Sequence, residues 1–66
     1  MKISLNGDEH DVPTGTTAAR LLESLELTGK RIAVEINKDI VPRSRLDGLT
    51  IQPGDRIEIV HAIGGG

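Results

Sequence analysis

The sequence contains neither cysteine nor any aromatic residue. Without cysteine it cannot form a disulfide framework, a thiolate metal site or a thiol nucleophile. Without aromatic side chains it is a poor candidate for binding nucleic acid, because surfaces that stack bases depend on aromatic faces. The formal net charge is only −2, with both signs interspersed, so no strong positive field attracts nucleic acid or a membrane.

Long apolar segments are also absent. Residues 1–6 lack the apolar stretch of a signal peptide, and no apolar run approaches the length that spans a membrane. A chain of 66 residues provides one domain with one small core, and it leaves no room for a deep active-site cleft. We expect a soluble cytoplasmic protein that binds no metal or cofactor and is a monomer when free.

The start of the chain carries the pattern of a β-hairpin. Apolar and polar residues alternate along residues 1–6, which is the period of a strand. Asn6-Gly7 accepts positive φ at both central positions of a type I′ turn, so residues 8–12 are predicted to return as a second strand. This return strand is polar, which indicates a sheet edge. His10 falls opposite Ile3 and is expected to be partly covered, in a structural role.

A helical pattern follows a break at Pro13-Thr14-Gly15. Thr16 or Thr17 is placed to cap the helix. Apolar side chains then recur with the spacing of one helical face, at Ala18, Leu21, Leu22 and Leu25. Gly29 is the expected terminator, because glycine accepts the left-handed conformation. A single helix of about ten residues cannot bury its leucines alone, so it must lie across a sheet.

Two further extended segments are predicted after the helix. Apolar residues alternate with other residues along 32–36, which indicates a third strand. Residues 40–42 form a short extended piece, and Pro42 confines it to a sheet edge or to the end of pairing. Residues 43–48 are expected to form a surface turn, with Leu46 pointing inward.

The last predicted strand covers residues 56–63. Ile57 and Ile59 share one face, whereas Val60 and Ala62 share the other. Apolar residues on both faces indicate a central strand, or a strand whose outer face meets a partner. We therefore expect the outer face around Val60 and Ala62 to dock a partner.

Three glycines follow this strand, at Gly64, Gly65 and Gly66. Glycine has no Cβ, so such a tail can pass through a channel too narrow for side chains. We predict a folded domain over residues 1–63 and a flexible tail over residues 64–66.

The order of these elements, β-β-α-β-(β)-β, predicts an α+β fold. The helix must cover one face of a mixed sheet of about four or five strands. Placing the first and last strands side by side and parallel in the centre gives the β-grasp, or ubiquitin-like, arrangement. The last strand then points its end, and the glycines, away from the sheet.

Three stretches together resemble the sulfur carrier proteins of thiamine biosynthesis. They are residues 36–43 (INKDIVPR), residues 53–60 (PGDRIEIV) and the Gly-Gly-Gly end. The resemblance extends over nearly the whole chain, including its length and the Asn6-Gly7 hairpin, and it implies a β-grasp carrier. The small subunit of molybdopterin synthase and the ubiquitin-like modifiers share this fold and terminus, so the fold alone does not choose among them.

The chemistry implied by the resemblance takes place at the carboxyl group of Gly66. A carboxylate is an anion at neutral pH and a poor electrophile, so it must first be activated. Activation with ATP gives an acyl adenylate, which a sulfur donor converts to a thiocarboxylate. The resemblance implies three partners: an E1-like adenylating enzyme, a cysteine desulfurase or other persulfide donor, and thiazole synthase as the acceptor. The sequence offers no nucleophile–base pair and no phosphate-binding loop, so we expect a protein substrate and not an enzyme.

Four functions stay open at this point. They are a sulfur carrier for the thiamine thiazole, the small subunit of molybdopterin synthase, a ubiquitin-like tag joined to lysines, and a small binding domain with an inert tail. The sequence does not decide the roles of His10 and His61; we expect His61 to be a half-exposed strand residue.

Overall fold

The computed structural model describes residues 1–61, and this part of the chain forms five strands and one helix. In chain order the elements are β1 (Lys2–Leu5), β2 (Asp8–Asp11), α1 (Ala18–Ser24), β3 (Ile32–Ile36), β4 (Asp39–Val41) and β5 (Arg56–His61). One turn of 3₁₀ helix, Arg43–Arg45, follows β4. The predicted domain boundary between residues 63 and 64 lies outside the described residues and stays a prediction.

The strands join one sheet in the order β2-β1-β5-β3-β4. β1 and β5 run parallel, with Ser4 opposite Arg56 and Leu5 opposite Ile57. The other neighbouring pairs in this part of the chain are antiparallel. The predicted β-grasp arrangement is therefore confirmed, with the first and last strands adjacent in the centre of a mixed sheet.

The opening hairpin has the predicted turn and register. Asn6 and Gly7 have φ values of 51° and 87°, as a type I′ turn requires. Ile3 lies opposite His10, and β2 forms one edge of the sheet. His10 is half-buried, which agrees with the partly covered side chain predicted from the sequence.

Helix α1 begins at one of the two predicted caps. Thr17 is the N-cap, and its side-chain Oγ1 accepts a 3.2 Å hydrogen bond from the backbone N–H of Arg20. Ala18, Leu21 and Leu22 are buried, which confirms the apolar face of the helix.

The prediction that Gly29 ends the helix is wrong. α1 ends after Ser24, and Glu26 takes the left-handed conformation with a φ of 59°. The N–H of Leu27 donates to the carbonyl of Leu22 at 2.9 Å, which is the longer hydrogen bond of a Schellman motif. The earlier end brings Leu27 back against the core, where it is partly buried.

The core lies between α1 and the inner face of the sheet. Leu21, Ile51 and Ile57 are its most deeply buried side chains, with 2%, 1% and 1% of their surface exposed. The other buried members are Ile3, Val12, Ala18, Leu22, Val34, Ile36, Leu46 and Ile59. The inward position predicted for Leu46 is thus confirmed.

Candidate functional site

The predicted site residues lie at the carboxyl end of β5 and beyond it. Ala62 and the three glycines at 64–66 are outside the described residues, so their roles stay predictions. What the structure describes is the strand that leads to them. β5 is the central strand of the sheet and ends at His61, the last described residue.

Burial anchors the inner side of β5. Ile57 and Ile59 are only 1% and 6% exposed, and both belong to the core. Fully burying such a side chain contributes about 1.5–3 kcal/mol. On the β3 side, His61 lies opposite Ile32, so strand pairing continues to the last described residue.

On the β1 side, Asn6 continues the pairing after β1 has ended. Its backbone N–H donates to the carbonyl of Ile57 at 2.8 Å. Its side-chain Oδ1 accepts a hydrogen bond from the N–H of Ile59, also at 2.8 Å. Because the chain turns away at Asn6, the side-chain oxygen takes the place of the next backbone carbonyl. Asn6 thus extends the pairing between β1 and β5 by one residue, toward the carboxyl end of β5.

Asn37 makes the corresponding contacts at the other end of β5, from the β3 side. Its N–H donates to the carbonyl of Arg56 at 2.8 Å, and its Oδ1 accepts from the N–H of Arg56 at 3.0 Å. Its Nδ2 also donates to Asp55 Oδ1 at 3.1 Å. Sequence reasoning placed a turn at Asn6-Gly7 but missed the contacts that both asparagines make with β5.

The outer face of the sheet, away from α1, carries the predicted docking position. Val60 is 52% exposed and lies opposite Ala33. Sequence reasoning missed Ile40, which is 73% exposed on β4 and lies opposite Glu35. Glu35 in turn lies opposite Glu58. We refer to these five residues as the outer-face patch.

The two histidines are not brought together. His10 lies on β2 and His61 lies on β5, and β1 runs between these strands. Within residues 1–61 no group of three or more His, Asp or Glu side chains is arranged to hold a metal ion. In the same part of the chain, no helix is long and apolar enough to cross a membrane.

A small groove lies between α1, the loop after it and strands β3 and β4. It has a volume of about 200 Å³, and its walls include Leu22, Leu27 and Ile32. Lys30 and Arg43 also line it. The exposed Arg43 donates from Nη2 to the carbonyl of Lys30 at 3.2 Å, which fixes the two chain segments that border the groove.

Comparison with known proteins identifies the family. The sequence model of the ThiS family matches residues 3–66. The chain belongs to the ThiS family. The sulfur carrier protein ThiS of Bacillus subtilis (strain 168) is 38% identical over 65 residues, which cover 97% of this chain and 98% of that protein. The resemblance to the sulfur carriers of thiamine biosynthesis is therefore confirmed.

The fold agrees with this assignment. The crystal structure of the thiamine biosynthesis protein ThiS from Geobacter metallireducens superposes with a TM-score of 0.88 at 28% identity, covering 100% of both chains. The described part of this chain thus has the β-grasp fold of the ThiS family.

One relative places a ThiS-like region within a longer protein. The thiazole synthase of Magnetococcus marinus is 46% identical over 66 residues, which cover 100% of this chain but 20% of that protein. The chain therefore spans about a fifth of the length of this curated relative.

Proposed function

We propose that the chain is a sulfur carrier whose terminal carboxylate, on Gly66, is adenylated with ATP and converted to a thiocarboxylate. The thiocarboxylate then donates its sulfur to the thiazole ring of thiamine. The observation that carries this proposal is the ThiS family match, which extends through the glycines to residue 66. The match favours a sulfur carrier for the thiamine thiazole over the small subunit of molybdopterin synthase and over a ubiquitin-like tag.

The proposed activation proceeds in two stages. A carboxylate oxygen attacks the α-phosphate of ATP, releasing pyrophosphate and forming the acyl adenylate. A persulfide sulfur then displaces AMP, and cleavage of the sulfur–sulfur bond by a thiol leaves the thiocarboxylate. The chain has no cysteine, so the sulfur is carried on the main chain and both thiol and persulfide come from elsewhere.

Partners supply the catalysis in this proposal. They are an E1-like adenylating enzyme, a cysteine desulfurase or other persulfide donor, and thiazole synthase. The Magnetococcus relative supports the last of these, because a region like this chain forms part of a protein with that name. We place the reaction in the cytoplasm, where ATP is supplied, and we expect the free carrier to be a monomer with no bound cofactor.

The anchoring of β5 explains how a small domain can present its tail for this chemistry. Five residues follow His61, and at about 3.3 Å per extended residue they reach roughly 16 Å. Ordering the three glycines in a partner's channel costs roughly 3–6 kcal/mol of backbone entropy. The core and Asn6 already hold β5 in place as far as residue 61. Binding of the tail by a partner therefore does not have to order this part of the chain as well.

Intact-mass measurement tests the proposal. The purified chain is incubated with ATP, an E1-like adenylating enzyme and a persulfide donor, and we expect one sulfur-for-oxygen exchange at Gly66. Isopeptide adducts would instead support a protein tag, and an unmodified terminus would support an inert domain.

A substitution in the tail separates its role from folding. Gly65→Ala should weaken adenylation more than it affects stability, because a Cβ obstructs a channel shaped for glycine. Adenylation rates and urea unfolding of the variant and the wild type decide the point. A loss of stability with unchanged adenylation would contradict the proposed role of the tail.

A further inference from the structure

Two glutamates face each other in the outer-face patch. Glu35 on β3 and Glu58 on β5 are directly opposite in the antiparallel register. Side chains in such positions have Cβ atoms about 4.5–5.5 Å apart, and like charges there destabilise a sheet. The ion pairs formed within residues 1–61 join Lys2 to Glu9 and to Asp11. Neither glutamate of the facing pair forms an ion pair in the described part of the chain. The nearest cation on this face of β5 is Arg56, two residues before Glu58, and it is not paired with either carboxylate.

Two exposed apolar side chains lie next to the acidic pair, one across the sheet on β4 and one further along β5. Ile40 on β4 lies opposite Glu35, on the side away from Glu58, and is 73% exposed. Val60 follows Glu58 on the same face of β5 and is 52% exposed. In the described part of the chain, these two are the large hydrophobic residues that stay exposed. The patch thus combines two facing negative charges, which repel each other, with apolar side chains exposed to water.

We propose that the outer-face patch binds a protein partner that places an arginine or lysine side chain between Glu35 and Glu58 and packs apolar side chains against Ile40 and Val60. The charge selects this occupant, because a partner that covers the carboxylates without bonding a cation to them would leave buried, unpaired charges, which is strongly unfavourable. Arginine fits best, since its planar guanidinium has several donors and can reach both carboxylates. A second copy of the same face is a poor occupant, because it would bring two acidic pairs together.

The position of the patch connects it with sulfur transfer, and the inference rests on the proposed function in this respect. Val60 immediately precedes His61 at the end of β5. A partner bound at Val60 therefore lies beside the point from which the remaining residues extend. The patch would set the orientation in which a partner receives them.

Neutralising the pair provides the test. The variant carries Glu35→Gln and Glu58→Gln, and the control carries Glu23→Gln and Glu26→Gln, which change the net charge equally at exposed positions in and after α1. We expect the pair variant to raise the midpoint of thermal unfolding by about 2–4 °C, because it removes repulsion between like charges. An unchanged or lowered midpoint would overturn the premise.

The second measurement is adenylation by a purified E1-like adenylating enzyme at low and high ionic strength. At low ionic strength, kcat/KM of the pair variant should be about tenfold lower than that of the wild type, with little change in kcat. The difference in kcat/KM between the two proteins should become smaller at high ionic strength, because salt screens the charges. The control should behave like the wild type. Equal losses in both variants would show an effect of net charge only, and unchanged kcat/KM in the pair variant would also overturn the inference.

These outcomes separate the two proposals. If the wild type is adenylated and the pair variant matches it at every ionic strength, the inference fails and the proposed function stands. If the wild type is not adenylated at all, the proposed function fails. The patch is then decided by titrating both proteins against purified thiazole synthase, where equal affinities would overturn the inference and weaker binding by the pair variant would support it.

Discussion

Replacing Asn6 with glycine tests how the chain holds β5. Asn6 has two roles that this substitution separates: it adopts a φ of 51° in the turn, and its Oδ1 accepts a 2.8 Å hydrogen bond from the N–H of Ile59. Glycine retains the turn, because positive φ is easily accessible to it. The side-chain hydrogen bond is lost, whereas the greater freedom of glycine in the unfolded chain is an effect that a second asparagine-to-glycine variant can control for.

The expected loss follows from the burial of this contact. The hydrogen bond is partly buried, and Ile59 is only 6% exposed, so water replaces the lost acceptor poorly. An unsatisfied buried donor costs about 1–3 kcal/mol, and relief of the left-handed asparagine returns at most about 1 kcal/mol. We expect Asn6→Gly to lower the free energy of unfolding by about 1–2 kcal/mol, a large part of the few kcal/mol typical of so small a domain.

Asn37 provides a matched control. It also begins a tight turn, with a φ of 53°. Its Oδ1 accepts a 3.0 Å hydrogen bond from the N–H of Arg56, and its Nδ2 donates to Asp55 at 3.1 Å. Both contacts are exposed, so water can replace the lost side-chain groups. Asn37→Gly should therefore change the free energy of unfolding by no more than about 0.5 kcal/mol.

Urea unfolding and native-state hydrogen exchange measure the two effects. The Asn6 variant should unfold at lower urea, and its Ile59 amide should exchange faster than in the wild type, because that amide has lost its acceptor. The reasoning is refuted if the two glycine variants lose equal stability, or if the Ile59 amide stays as protected as before.

Two further substitutions test other parts of the structure. Glu26→Gly should stabilise the domain by about 1 kcal/mol, because glycine takes the left-handed position without strain; thermal unfolding checks this, and Glu26→Ala, which keeps the strain, should not reproduce the gain. Val60→Asp should lower the free energy of unfolding by about 1 kcal/mol, because aspartate is disfavoured in a strand and adds negative charge beside Glu58; under conditions where the variant stays folded, it should still reduce adenylation by the E1-like enzyme. Thr28→Asp, at an exposed position in the loop after α1, is its control, and equal adenylation of both variants would exclude the outer face as the docking surface.

The elements were predictable from the sequence wherever a local pattern determines them. Asn6-Gly7 fixes a type I′ turn by its own backbone preferences, and the turn fixes the register of the first hairpin. The spacing of Ala18, Leu21 and Leu22 places one face of α1 in the core. The end of the helix was not predictable in this way, because Glu26 adopts a conformation that its residue type disfavours, and the packing of Leu27 compensates.

The surroundings of the candidate site depend on contacts between distant residues. Asn6 and Ile59 are 53 positions apart, so nothing near either one indicates their hydrogen bond. Strand parity alone places Val60 on the outer face, as predicted. The facing of Glu35 and Glu58, in contrast, depends on the register between β3 and β5, and a shift of one residue would have removed it.

The parallel pairing of β1 with β5 determines how the domain responds to force. A pull on the chain beyond His61, resisted at the amino end of β1, draws the two central strands past each other along their axes. The hydrogen bonds from Ser4 to Asp55 and from Asn6 to Ile57 are then strained at the same time, not broken one after another. A pulling force applied by a binding partner is thereby distributed over the hydrogen bonds between the two central strands. We expect the domain to unfold under force in a single abrupt step.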